Sequence, residues 1–218
     1  MLFAIEVLLV DVSIAAFTPI MIAAATGALV SAIVLKENVL LTFNKQQIFD
    51  YTNIPFYVLL GLIIGFVTIY YARWFQKIEK FFIRYEKRPY KRALIAASFL
   101  AVLIFIIPTL FGEGYESIKT LSENDPGVLL QDTLFSEFRD NKWVLLAFVG
   151  AAAFLKVFAT GLTLGGGGNG GNFAPSLFLG SYVGYFFSQL ITLTGLSKLP
   201  VSNFTIVGMA GVLSGLFH

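Results

Sequence analysis

The chain has 218 residues, 57% of them hydrophobic and only 13% charged, with a mean hydropathy of +0.80 and a formal net charge of +2. Soluble domains carry about 25% charge, so this surface would aggregate in water unless lipid covered it, and a soluble globular fold is excluded. The chain has no cysteine, which excludes disulfides and thiolate metal sites, and its single histidine, His218, offers no basis for a histidine metal site.

The opening residues, MLFAIEVLLVD, have no basic region ahead of the apolar run and carry Glu6 inside it. They do not read as a signal peptide. This start and the closing GMAGVLSGLFH both read as helical sequence without caps, so a piece of a larger membrane protein is expected. The first long apolar run, Val12 to Leu35, has no charge and is long enough to cross roughly 30 Å of hydrocarbon. Ala23, Ala24, Ala25 and Gly27 permit close helix–helix approach. Pro19 is expected to kink this helix or split it.

After the polar stretch 36–53, a second span is expected from Ile54 to Tyr71, with Pro55 in its first turn. It leads into RWFQKIEKFFIRYEKRPYKR, where Arg73, Lys77, Lys80, Arg84, Lys87, Arg88, Lys91 and Arg92 hold more than half of the 15 basic residues. The positive-inside rule makes this a cytoplasmic loop. Its plainest reading is a solvated basic turn at the lipid headgroups, and no nucleic-acid partner is expected. Ala93 to Phe111 returns to the far side. The polar, on balance acidic segment 112–142 is then an outside loop, with a short helix expected around Gly127–Phe138. Further apolar stretches run from Trp143 to Leu164, from Phe173 to Thr194, and onward from Phe204. The chain reads as all-helical and integral to a membrane, and no internal repeat is visible.

Residues 164–175, LGGGGNGGNFAP, interrupt this pattern. The glycine run formally matches the dinucleotide fingerprint GxGxxG, but no strand precedes it and no acidic residue follows. It does not end in the Gly-Lys-Ser/Thr of a phosphate loop. A plain linker is the bland alternative, although too few polar residues flank the run to carry it to water. The remaining reading is an anion site. Irregular backbone at membrane depth is tolerated where it lines a cavity. Successive backbone N–H groups form an anion-binding nest. Pro175 would fall in the first turn of the next helix, whose N-terminus offers donors and a positive dipole end.

The charge pattern agrees. From Asn141 to His218 there is no Asp or Glu, and Lys142, Lys156 and Lys198 are the only charged side chains. Lys156, inside AFLKVFATGLTL, either snorkels to the surface or faces a watery path where it would concentrate anions.

These residues resemble a known family. GGNGGNFAPSLFLGS, residues 167–181, resembles the GGxFxPxLxxG signature of the CLC chloride channels and transporters. LKVFATGLTLGGGG resembles the family's approach to that signature. MLFAIEVLL is similar to its helix ending in an Ile-Glu pair, and FTPIMIAAATGALVS to the helix after it. TIVGMAGVLSGLFH is similar to a later stretch of the same family. The likeness runs in order along the chain and is weaker in 36–140.

The resemblance implies a CLC-type bundle of tilted, broken and re-entrant helices, of which residues 1–218 are a partial transmembrane ion-transport domain with no soluble domain. It implies a homodimer in the lipid bilayer with a pore in each subunit, chloride as the transported ion and no cofactor. A multi-pass protein of the inner cell membrane follows if the source is bacterial. Backbone N–H groups at Asn172 and Phe173 would hold the anion, within a selectivity loop that includes Gly168, Gly170, Gly171, Ala174 and Pro175. Asn172 stands where an aliphatic residue is usual. It leaves a backbone contact intact and could add a side-chain donor or tilt anion preference. Lys156 matches a basic position near the inner mouth.

Other departures bear on mode. Proton-coupled members often carry a second Glu after the Ile-Glu pair, and here Val7 follows Glu6. An apolar residue there is what channel members show, so channel-like conduction is the favoured mode and chloride/proton antiport the alternative. Glu6 takes a structural or vestibule role, with a proton-path role as the other option. The family's early Ser motif, its GxEGP gate motif and its late Tyr are not in this sequence. An enzyme would need a nucleophile, a base or a metal cluster, and Glu6 has no such partner. A purely structural membrane subunit, with glycines serving packing only, is the more distant alternative. A cation route is disfavoured because no acidic residues accompany the glycines.

Overall fold

A computed structural model describes residues 14–35, 50–122, 126–131 and 133–217. The chain divides into two compact units, residues 1–42 and residues 43–216. In the first, helix α1 (Ile14–Val30) runs through Pro19 without a break and passes into a π-helical turn at Ser31–Leu35. Pro19 therefore does not split the helix, although it removes one ladder donor. The helix type changes at the π turn.

The second unit is a helical bundle. A short 3₁₀ turn, Tyr51–Asn53, is started by Asp50, whose Oδ1 accepts from the Thr52 N–H at 2.9 Å. Helix α2 (Ile54–Ile83) follows, with proline in its first turn. Its 30 residues make about 45 Å at 1.5 Å per residue, longer than the ~30 Å hydrocarbon layer. The helix therefore continues well past Tyr71, and Arg73, Lys77 and Lys80 sit on it rather than in a loop. The turn itself is confined to residues 84–88. Helix α3 (Pro89–Ile106) begins at once with a proline and takes in Lys91 and Arg92. It stops before Pro108, which disfavours helical backbone at Ile107.

A second correction concerns segment 112–142. Its helix is α4 (Tyr115–Ser122), which opens beside the positive-φ residues Gly112 and Gly114. The expected helix around Gly127–Phe138 is instead two 3₁₀ turns, Pro126–Leu130 and Ser136–Phe138. The reason is local. The stretch has no apolar stripe long enough to repay helix nucleation. Helix α5 (Lys142–Gly165) is capped by Asn141, whose Oδ1 accepts from the Trp143 N–H at 3.0 Å. Helices α6 (Phe173–Leu193) and α7 (Val201–Phe217) complete the unit, and no strand occurs among the described residues.

Helix α5 lies at the centre, packed by α2, α3 and α6. Among the described residues, four helical stretches are long and apolar enough to cross a membrane: Tyr51–Ile83, Pro89–Ile106, Lys142–Gly165 and Phe173–Leu193. Burial separates them. In α5 and α6 61% of the most apolar window is buried, against 6% in α3. The face of α3 is apolar without being covered by this chain, as a lipid-facing surface requires. Helices α6 and α7 meet backbone to backbone. A Cβ on Gly180 or Gly184 would strike the backbone of α7 at Gly208 or Phe204, and one on Gly208 would strike Gly180. This is the small-residue contact by which membrane helices approach closely.

Candidate functional site

The glycine stretch has two distinct parts. The first closes α5. The Gly166 N–H donates to Leu162 C=O at 2.8 Å, Gly167 to Leu164 at 3.1 Å, and Gly168 to Thr163 at 2.9 Å. The last two bonds, with φ 101° at Gly167, make a Schellman cap. Gly166 is needed for space as well, since a Cβ there would strike the Ala96 side chain and the Leu162 carbonyl. The Arg92 Nε reaches across from α3 and donates to the Gly165 carbonyl. Thus a cation sits at the negative end of the α5 dipole.

The second part, Asn169 to Asn172, delivers the chain to the start of α6. The intrahelical ladder there begins with the Ser176 N–H, which donates to Asn172 C=O at 3.0 Å. Pro175 is the third helical residue, so its missing donor falls where the ladder has no use for one. Asn172 is the N-cap residue but makes no side-chain cap. Its Oδ1 accepts from the hydroxyl of Tyr71 on α2 at 3.2 Å.

A cavity of about 500 Å³ joins this helix start to α5. Gly170, Gly171, Phe173, Ala174 and Pro175 line one side, and Lys156, Thr160 and Thr163 another. Residues 110–113 and Tyr115 form the third wall. Of the residues expected at a site, these bring together Lys156, Gly170, Gly171, Phe173, Ala174 and Pro175. Gly168 belongs to the cap, and the Asn172 side chain is turned to Tyr71; neither is part of the lining. Glu6 and Val7 lie outside the described residues.

Of the two expected courses, Lys156 does not take the first. It is 2% exposed, so it does not snorkel to the surface, and it lines the cavity instead. The Nζ donates to the carbonyls of Leu110 at 3.3 Å and Gly112 at 3.0 Å, and lies 4.4 Å from the ring centroid of Phe178. The turn after α3 folds back to the middle of α5 to supply those carbonyls. These acceptors are dipoles, not carboxylates, and the nearest acidic member of the lining, Glu113, makes no hydrogen bond to the ammonium. In a low-dielectric surround such a charge acts strongly on whatever enters the cavity.

Sequence reasoning missed the acceptors of Lys156, the cap role of Gly166 to Gly168, and Tyr71. The GEG of residues 112–114 was the available signal for a turn that presents carbonyls. Nothing in local sequence points from Tyr71 to a residue a hundred positions away.

Comparison with known proteins agrees with this architecture. The whole chain, residues 1–218, matches the family described as voltage gated chloride channel. It is similar to the H(+)/Cl(-) exchange transporter ClcA of Vibrio cholerae, 24% identical over 201 residues covering 89% of this chain and 39% of the relative. It is also similar to ClcA of Vibrio vulnificus, 24% identical over 93% of this chain and 40% of the relative. The voltage-gated ClC-type chloride channel ClcB of Salmonella typhimurium is 22% identical over 100% of this chain and 48% of the relative. The chain thus spans less than half the length of each of these relatives. No solved structure matches it.

Proposed function

The chain belongs to the voltage gated chloride channel family, and from that premise we propose that residues 1–218 form part of a transmembrane ion-transport domain that moves chloride. The observation that carries the proposal is the shared cavity, in which a buried ammonium and the start of α6 face the same space. An anion there meets backbone N–H donors at Asn172 and Phe173, the positive end of the α6 dipole, and the Lys156 charge. Gly170, Gly171, Ala174 and Pro175 give the backbone its close approach. Lys156 supplies attraction without closing the site, because its hydrogen bonds go to carbonyls. The protein works as a homodimer in the bilayer, each subunit with its own pathway. No cofactor takes part.

Channel-like conduction is the mode we carry forward, since Val7 follows Glu6 where exchangers often have a second carboxylate. In this reading Glu6 shapes a vestibule. Coupled exchange is the second reading, supported by relatives that bear the name of H(+)/Cl(-) exchange transporter. The deciding experiment is paired chloride and proton flux from liposomes containing the full-length protein that carries this chain. Chloride flux with no proton movement is expected. Protons driven uphill by a chloride gradient would replace the channel reading with exchange. No anion flux from folded protein would overturn both in favour of a structural role.

A further inference from the structure

Asparagine is a strong helix N-cap because its side-chain oxygen accepts from the N–H of the second or third helical residue. Asn172 occupies the N-cap of α6 and does not do so. Its backbone is helical, with φ −87° and ψ −5°, where a capping residue is extended. Its Oδ1 is held instead by the Tyr71 hydroxyl, on a side chain only 2% exposed. The third helical residue, Pro175, has no N–H. The one donor an Asn172 cap could take is therefore the Ala174 N–H, and Ala174 lines the cavity.

We infer that Tyr71 is a positioning residue for the anion site: by holding Asn172 Oδ1, it keeps that oxygen off the Ala174 N–H and leaves the start of α6 open to an incoming anion. The inference rests on the anion-site reading above. A carboxamide oxygen seated on the Ala174 N–H would set a negative dipole and its own bulk beside the Phe173 N–H proposed for the anion, and so oppose binding there. Released, the carboxamide would be tethered beside Ala174, and a tethered acceptor acts at high effective concentration. Water cannot take over the latch easily, because the buried phenol must find its partner within the protein. Thr160, which also lines the cavity, lies beside the same hydroxyl.

The test is a double-mutant cycle in the full-length protein carrying this chain, using Tyr71→Phe, Asn172→Ala and both together. Two quantities are read: chloride binding by calorimetry, and hydrogen exchange of the Ala174 amide in chloride-free buffer. Tyr71→Phe should weaken chloride binding by about 2- to 30-fold, the range of one N-cap interaction, and slow exchange at Ala174. Adding Asn172→Ala should restore binding to within about twofold and restore fast exchange, because the competing oxygen is gone. A merely structural role for Tyr71 predicts no such rescue. The inference is overturned if the double variant binds as weakly as Tyr71→Phe, or if Tyr71→Phe changes neither quantity. If the unmutated protein binds no chloride, the anion-site reading falls, and the exchange rates at Ala174 still decide whether the latch exists.

Discussion

The Nζ of Lys156 donates to the carbonyl oxygen of Gly112 at 3.0 Å, across 44 positions of chain. Gly112 can present that carbonyl because its φ is 66°, a conformation that other residues rarely adopt. With Leu110 C=O and the Phe178 ring, the contact holds a charged group near the middle of a membrane helix, and no acidic side chain bonds to it among the described residues. Charges at that depth are rare and mark ion or proton paths.

Lys156→Met keeps most of the side-chain volume and removes the charge. Burying an ammonium costs several kcal/mol before its contacts offset it, so the change in folding stability should be small. Chloride affinity should fall about tenfold or more, by analogy with charge pairs in partly dry surroundings. Calorimetric chloride titration and a melting curve separate the two. Unchanged affinity with a lowered melting temperature would make Lys156 a packing residue instead.

Two glycines distinguish packing from pathway. Gly208→Ala places a methyl against the backbone of Gly180, where neither helix can give way. Overpacking of this kind costs about 1–3 kcal/mol, so the melting temperature should drop by several degrees. Gly171→Ala meets nothing within 4 Å and needs no positive φ, yet lies on the cavity wall. It should leave stability within about 0.5 kcal/mol, and a bulkier Gly171→Leu should change relative permeability to chloride and larger anions. If both glycines changed stability alike and neither changed permeability, the cavity would have no part in transport.

How far the sequence could lead depended on the range of the interaction. The spans at Trp143–Leu164 and Phe173–Thr194 were legible to within a residue or two, because hydropathy and proline punctuation are local signals. The basic segment misled. Charge ends a hydropathy window, but it does not end a helix, so α2 ran on to Ile83. The glycine stretch was legible as a break between two spans and not as two devices. Composition alone cannot separate a Schellman cap from an open helix start. The partners of Lys156 and Asn172 were out of reach, since both are set by tertiary contacts of more than forty positions.

The cap at the end of α5 makes its own prediction. At Gly167, with φ 101°, an L side chain is strained whatever the space around it. Gly167→Val should destabilise by about 1–2 kcal/mol, while Gly167→Asn should cost least, because Asn tolerates this region best among the other residues. Equal melting temperatures for the two variants would mean that the turn is not held in this conformation.

Arg92 tests whether the basic segment is only a headgroup anchor. Its Nε reaches the Gly165 carbonyl, whereas Lys87 and Lys91 are exposed. A charged hydrogen bond to a partly buried carbonyl is worth about 1.5–3 kcal/mol, and loss of the cation also unbalances the α5 dipole. Arg92→Met should therefore lower the melting temperature by several degrees, and Arg92→Lys should recover only part of it, because an ammonium lacks the planar fork. Lys87→Gln and Lys91→Gln should stay within about 0.5 kcal/mol of the parent. The cap also fixes where the glycine stretch leaves α5, so Arg92→Met should weaken chloride binding as well, through displacement of residues 169–172. Four variants with the same small effect would return Arg92 to the solvated basic turn.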